Sequence, residues 1–232
     1  MKKSKMLFIL FVIASFMQNY YFICQQGYPV FTFLMGISRD FVDVSCILNL
    51  LFLTAPIIFI IFFFSGTLKD LTDGYGKLLI IRRYSKTKLV LKELAKSFVL
   101  VIPVVLTECL AASVFAESFG WMKSSQILKG ILAHTLCMFL VLLALFLLEM
   151  FFDQQYASAL ISFYVSVSCC LAQFISRDVF VRILFFPCMI FGYNSMVDKN
   201  LGEYLVSMFV IATMCAVFIL MNVQKMKKKD IF

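Results

Sequence analysis

The sequence predicts an all-α integral membrane protein with about six transmembrane helices and both termini in the cytoplasm. Two features of the composition predict this class: 62% of the 232 residues are hydrophobic, and only 15% are charged. A soluble domain is about half apolar, with about a quarter of its residues charged. The third observation is a series of apolar stretches that approach the roughly 20 residues a bilayer core requires. No long linker separates them, so residues 1–232 are expected to form a single transmembrane domain.

The predicted spans follow one another along the chain. They are residues 6–23, 47–64, 97–116, 130–152, 157–175 and 204–223. The first is expected to remain as a helix, because no small-residue cleavage site of a signal peptide follows it. A further apolar stretch, 179–196, contains Arg182 and Pro187 and is short and broken for a span. It is predicted to be a re-entrant element before the last span, although a full span remains the alternative.

The distribution of Lys and Arg predicts the orientation. With the N-terminus inside, 15 of the 21 basic residues lie in cytoplasmic segments and six lie outside. This bias places both termini in the cytoplasm. The net charge of +8 fits an anionic membrane surface better than nucleic acid, because the basic residues lie between apolar spans. The eight cysteines form no CxxC pair, and Cys24 and Cys188 are outside the predicted spans, where they could pair or stay reduced.

The cytoplasmic link between the second and third spans has the most informative pattern. Its apolar residues recur at the spacing of one helical face: Leu71, Tyr75, Leu78 and Leu79. Ser85 is predicted to cap a new helix that continues into the third span. Such a link is either a basic amphipathic connector held by anionic lipid or a docking element for a cytoplasmic partner.

Two turns in this link support a resemblance. They are Asp73-Gly74-Tyr75-Gly76 and Arg82-Arg83-Tyr84-Ser85-Lys86, and the stretch 179–196 adds to them by its position. With these features the chain resembles the small six-span permease subunits of ABC exporters, in the branch of bacteriocin, lantibiotic or drug export. The family's early acidic residue has two competing equivalents here, Asp70 and Asp73.

The resemblance implies a coupling helix that docks into a separate ABC ATPase subunit. It assigns the docking contact to Asp73, Gly74, Tyr75, Leu78, Leu79, Arg82, Arg83, Ser85 and Lys86. It also implies a second copy of the permease or a related one, a multi-pass location in a bacterial plasma membrane, and an amphipathic peptide, lipid-like or drug-like substrate.

Enzymatic motifs in the same link are incomplete. Asp70-x-x-Asp73-Gly74 resembles the start of the metal site of CDP-alcohol phosphotransferases, but the next Asp is Asp153, so the metal ligands cannot be assembled. Gly76-Lys77 lacks the remainder of a phosphate-binding loop. The sequence therefore predicts no metal, no cofactor and no enzymatic activity of its own, with ATP on a partner. The alternative classes are a substrate-binding membrane subunit of an uptake transporter and a non-transporting membrane scaffold.

Ionisable residues inside predicted spans are candidates for a substrate path. Glu108 lies in the middle of the third span, where a charge is costly. It is expected either to bond across helices or to face a substrate path. His134, the only histidine, is either a hydrogen-bonded structural residue or part of the same path, and the sequence assigns no partner to it. Glu149 is predicted to reach the membrane interface beside Asp153.

Overall fold

The structure is a computed structural model, and it describes residues 2–28, 30–34, 45–67, 69, 85–115, 124–171 and 201–228. The predicted docking residues from Asp73 to Arg83, the re-entrant stretch 179–196 and Cys188 lie outside these residues. Cys24 is exposed and has a free thiol.

The described residues are helical and contain no strand. The α-helices are α1 (Lys2–Asn19), α2 (Ser45–Phe64), α3 (Lys86–Ser113), α4 (Ser124–Glu149), α5 (Gln154–Leu171) and α6 (Leu201–Lys228). A π-helical turn, Tyr20–Gln25, continues α1, and a short 3-10 helix, Thr32–Leu34, precedes α2. Each predicted span falls largely on one of these helices. Helices α2 and α3 continue through Pro56 and Pro103.

Among the described residues, three helical stretches are long and apolar enough to cross a membrane. They are Lys5–Gln25, Ser124–Glu149 and Leu201–Lys228, while Leu48–Phe64 is a shorter apolar helix. These stretches indicate a membrane protein. The number of six spans and the orientation remain predictions.

The start of α3 agrees with the predicted cap. The helix begins at Lys86, with Ser85 as its N-cap in an extended conformation, φ −64° and ψ 122°. The Leu89 amide donates the first helical hydrogen bond to the Ser85 carbonyl at 3.1 Å. The Ser85 hydroxyl makes no capping bond. Ser85 therefore caps the helix through its backbone carbonyl and not through its side chain.

Helix α4 lies at the centre of the bundle. All ten residues from 137 to 146 are buried, and 72% of its apolar stretch is buried, compared with 22% for α6. A helix that is apolar on every face belongs inside a protein or in lipid, and here it contacts α2, α3, α5 and α6. Four of the other five helices therefore pack around α4, and α6 turns much of its apolar surface outward.

Side-chain contacts show how the helices run relative to one another. Rings of Phe8 and Phe63 lie 6.2 Å apart, which brings the start of α1 to the end of α2. Asn222 donates to the Leu143 carbonyl at 3.0 Å, so α6 ends beside the end of α4. We call this side of the bundle the basic end, defined by residues 5–8, 61–67, 69, 86–94, 146–158 and 222–228. It is the side that the charge distribution predicts to be cytoplasmic.

Candidate functional site

A buried carboxylate and imidazole pair lies between α3 and α4. Glu108 Oε2 is 3.0 Å from His134 Nε2, and both side chains are almost fully buried. The hydrogen bond satisfies two polar groups that would each be costly to bury alone. Sequence reasoning placed both residues on helices but could assign no partner to His134. The structure assigns Glu108, which agrees with the expectation that Glu108 bonds across helices.

The pair is covered on the side away from the basic end by a short apolar segment. The Phe33 ring lies edge-on to the His134 ring, with 5.6 Å between centroids. Around it Val30, Phe31 and Leu34 pack with Ala112 into a small buried cluster. Phe31 has a positive φ of 71°, a conformation that L-residues other than Asn, Asp or His seldom adopt. The segment 30–34 therefore folds inward and separates the pair from the nearer end of the bundle.

Ionisable side chains inside membrane helices usually pair with one another, as Glu108 and His134 do here. Within the part of the chain that the structure describes, no group of three or more His, Cys, Asp or Glu could hold a metal ion. The pair is a polar contact between α3 and α4, and the Phe33 ring lies beside it.

A second polar cluster, which we call the basic-end joint, connects the end of α2 to the α4–α5 link. Glu149 Oε1 accepts a hydrogen bond of 2.7 Å from the backbone amide of Gly66. Beside it, the hydroxyls of Ser65 and Ser158 lie 2.6 Å apart. These contacts fix the first residues of the link between α2 and α3 against two other helices.

Gly66 is required by the geometry of the joint. Its φ of +91° lies in the left-handed region, which glycine adopts without steric cost. A Cβ at this position would lie 2.7 Å from the Gln154 side-chain nitrogen and 2.9 Å from its Cδ. The backbone turns sharply here because no side chain opposes the turn, and Glu149 can reach the amide.

The sequence predicts Glu149 at the membrane interface beside Asp153, and this stays a prediction. The structure adds that the Glu149 side chain is buried and accepts a hydrogen bond from the Gly66 amide. The apolar run of α4 gives the position of Glu149 along the helix but not the neighbour that covers it. Asp153 is exposed as expected and forms an ion pair of 3.1 Å with Lys69.

Exposed aromatic side chains follow Glu149 in the sequence. Phe151 is contacted by Lys225 of α6, whose Nζ lies 3.9 Å from the ring centroid. Phe151, Phe152 and Tyr156 are 58%, 49% and 69% exposed. The α4–α5 link is thus short, but it presents the rings of Phe151 and Phe152 together with Asp153, and Tyr156 follows in the first turn of α5.

The structure brings together only part of the predicted site. Glu108 and His134 form one pair, while Ser85 and Lys86 lie at the start of α3. The remaining docking residues lie outside the described residues. Gly66 and Glu149 were not predicted as site residues. Each has one weak signal in the sequence. Gly66 follows the apolar run of α2, and Glu149 is an acidic residue near the end of the apolar run of α4.

The chain belongs to a family described as "Protein of unknown function (DUF2705)", whose family model matches residues 9–232. No curated protein and no solved structure matches it.

Proposed function

We propose that the chain is the membrane-spanning permease subunit of an ATP-driven exporter of the ABC class. In this proposal it has six spans, both termini in the cytoplasm of a bacterial cell, and an amphipathic peptide, lipid-like or drug-like substrate. ATP is bound and hydrolysed by a separate cytoplasmic subunit. A second copy, or a related permease, supplies the other half of the path.

The observation that carries the proposal is the basic-end joint. A plain connector between two membrane helices needs no fixed starting point. Here the first residues of the link are held by the Glu149–Gly66 hydrogen bond and the Ser65–Ser158 contact. A link that receives force from another subunit needs such a rigid base, because motion would otherwise be lost in a flexible turn.

The Glu108–His134 pair supports a polar region inside the bundle. In this proposal it lies beside the substrate path, because a buried ionisable pair inside a membrane protein usually marks a path or a relay. The pair joins α3, which carries the docking link at its start, to α4 at the centre of the bundle. Movement of α3 would therefore act directly on the pair.

The test is whether a nucleotide-binding subunit co-purifies with the tagged protein through the predicted coupling helix. Leu78→Asp puts a charge on the predicted apolar face and is expected to detach the ATPase, at a cost of about 2–4 kcal/mol for a central contact residue. Leu78→Met keeps an apolar side chain of similar volume and is expected to retain it. Arg83→Ala should only weaken the complex, more so at high salt, because rim charges contribute less.

If the Leu78→Asp protein is folded and inserted in the membrane but still binds the ATPase fully, docking lies elsewhere. Residues 70–88 are then a connector at the lipid surface. Wild-type protein that brings no ATPase at all would point to a membrane scaffold.

A further inference from the structure

We propose that an aromatic groove at the end of the bundle opposite the basic end binds one acyl chain of a membrane phospholipid and recognises its ester carbonyl. The aromatic groove is formed by the end of α1, the π-helical turn that continues it, α2 and Phe115 just beyond α3. Such a site requires only that the chain lies in a membrane, and it depends neither on transport nor on an ATPase.

The aromatic groove is walled by rings and opens to the outside of the bundle. Its volume is about 340 Å³, at the lower end of the range for small-molecule sites. Tyr21 stacks on Phe52 with 4.3 Å between ring centroids. Tyr20 lies 6.3 Å from Phe115. Met17 and Tyr20 are exposed, so in a membrane the groove is open to lipid and not enclosed among the helices.

The backbone beneath the groove departs from a regular helix. The turn Tyr20–Gln25 is π-helical, and it carries three of the lining residues, Tyr20, Tyr21 and Gln25. The Gln26 amide donates to the Tyr21 carbonyl, five residues back, at 3.1 Å. Turns of this kind are rare and occur frequently at functional sites. The irregular part of the first predicted span therefore coincides with the groove.

Hydrogen-bond donors lie at the polar side of the groove. The Tyr21 hydroxyl accepts a hydrogen bond of 3.2 Å from the Gln26 side-chain amide, and among the described residues no group accepts the Tyr21 proton. A phenol hydroxyl can accept and donate at once. Tyr21 is buried, so the ring stack and the hydrogen bond hold its donor in place. The Gln25 side chain lines the groove and adds further N–H donors.

These features select a phospholipid ester as the occupant. The described residues that line the groove carry no charge, so they offer nothing to pair with a phosphate or a charged headgroup. An ester carbonyl accepts hydrogen bonds and has no proton to donate, and it lies at the membrane interface, where Tyr side chains are also enriched. The ester therefore fits beside Tyr21, with the acyl chain along the rings. Because lipid tails are as apolar as the groove, packing and the hydrogen bond supply the preference.

The experiment measures phospholipid binding to the full-length, delipidated protein in detergent by native mass spectrometry. The probe is phosphatidylglycerol with two ester-linked chains, and its first molecule per chain should bind more tightly than later ones. Met17→Trp fills the groove and should weaken this first binding to the level of the later ones. The matched control is Ile13→Trp, which adds the same ring one turn earlier on α1, at an exposed residue outside the groove. It should retain the first binding.

An ether-linked analogue with the same headgroup and chains tests recognition of the carbonyl. It should bind wild-type protein about three- to twentyfold more weakly, the range for one hydrogen bond inside a membrane protein. Tyr21→Phe keeps the ring stack and should weaken binding of the ester lipid by a similar factor, but it should no longer distinguish ester from ether. Phosphatidylcholine should bind as phosphatidylglycerol does, because the lining is uncharged.

A diazirine in the acyl chain locates the lipid on wild-type protein without any substitution. Labelling should concentrate in residues 16–25. Labelling spread evenly over exposed apolar residues, Phe209 of α6 among them, would show only the surrounding lipid and overturn the inference.

Three other outcomes would also contradict it. Equal first binding by Met17→Trp and Ile13→Trp would place the lipid elsewhere. Equal binding of ester and ether lipids by wild-type protein would remove the role of the carbonyl. A lipid-free dimer that Met17→Trp dissociates and Ile13→Trp preserves would assign the groove to a second copy of the chain.

Discussion

Removal of either partner of the Glu108–His134 pair should destabilise the bundle, and removal of both should cost less than the two single changes added together. Each side chain is only a few per cent exposed, and Glu108 Oε2 lies 3.0 Å from His134 Nε2. Loss of one partner from a buried hydrogen bond costs about 1–3 kcal/mol. Hydrogen bonds between membrane helices average about 0.6 kcal/mol and reach about 1.7. Because lipid does not contact this pair, we expect a coupling energy of about 1–2 kcal/mol.

The assay is a double-mutant cycle with Glu108→Leu and His134→Leu, measured by reversible unfolding in mixed micelles. Glu108→Gln keeps a hydrogen-bonding group and should cost less than Glu108→Leu. The control cycle uses Glu93 and Lys96, an exposed pair at 3.4 Å within α3, for which about 0.5 kcal/mol or less is expected. Additivity of the Glu108 and His134 changes within about 0.3 kcal/mol would refute the pairing.

Three further predictions concern the fold. Gly66→Ala should destabilise the protein by about 1–3 kcal/mol because of its positive φ, a conformation that L side chains rarely adopt. The control is Gly202→Ala, at a helical position with open space around it, which should stabilise the protein by about 0.5–1 kcal/mol. If Gly66→Ala and Gly202→Ala have equal effects on thermal unfolding, the turn at Gly66 is not strained. Asn49 is buried, and neither polar atom of its side chain has a hydrogen-bond partner in the described residues. Asn49→Leu should therefore raise the thermal midpoint, and a lower midpoint would show that the amide is paired. In a cysteine-free background, Lys86→Cys and Lys123→Cys should react with impermeant maleimide from opposite sides of the membrane; reaction from one side would disprove the predicted orientation.

The positions of the helices along the chain could be predicted from the sequence, whereas the contacts between the helices could not. Apolar runs and charge breaks locate a membrane helix, since lipid requires them. The pairing of Glu108 with His134 depends on how α3 and α4 rotate against each other, which composition does not specify. Phe33 was missed as a cover for the pair because its segment is too short to register as a helix. The hydrogen bond between Glu149 and the Gly66 amide was missed because the glycine turn comes from a distant part of the chain.

The central position of α4 implies that two similarly apolar helices are under different constraints. Lipid molecules adjust to the shape of an outward-facing side chain, so exchanging one apolar residue for another on α6 changes little. Around α4 the neighbours are fixed protein atoms, and a change of one methylene leaves a void or a clash. Over evolutionary time α6 should therefore conserve only hydrophobicity, while α4 should conserve side-chain size and shape. Measures of hydrophobicity alone do not distinguish the two helices, but comparison of their rates of substitution would.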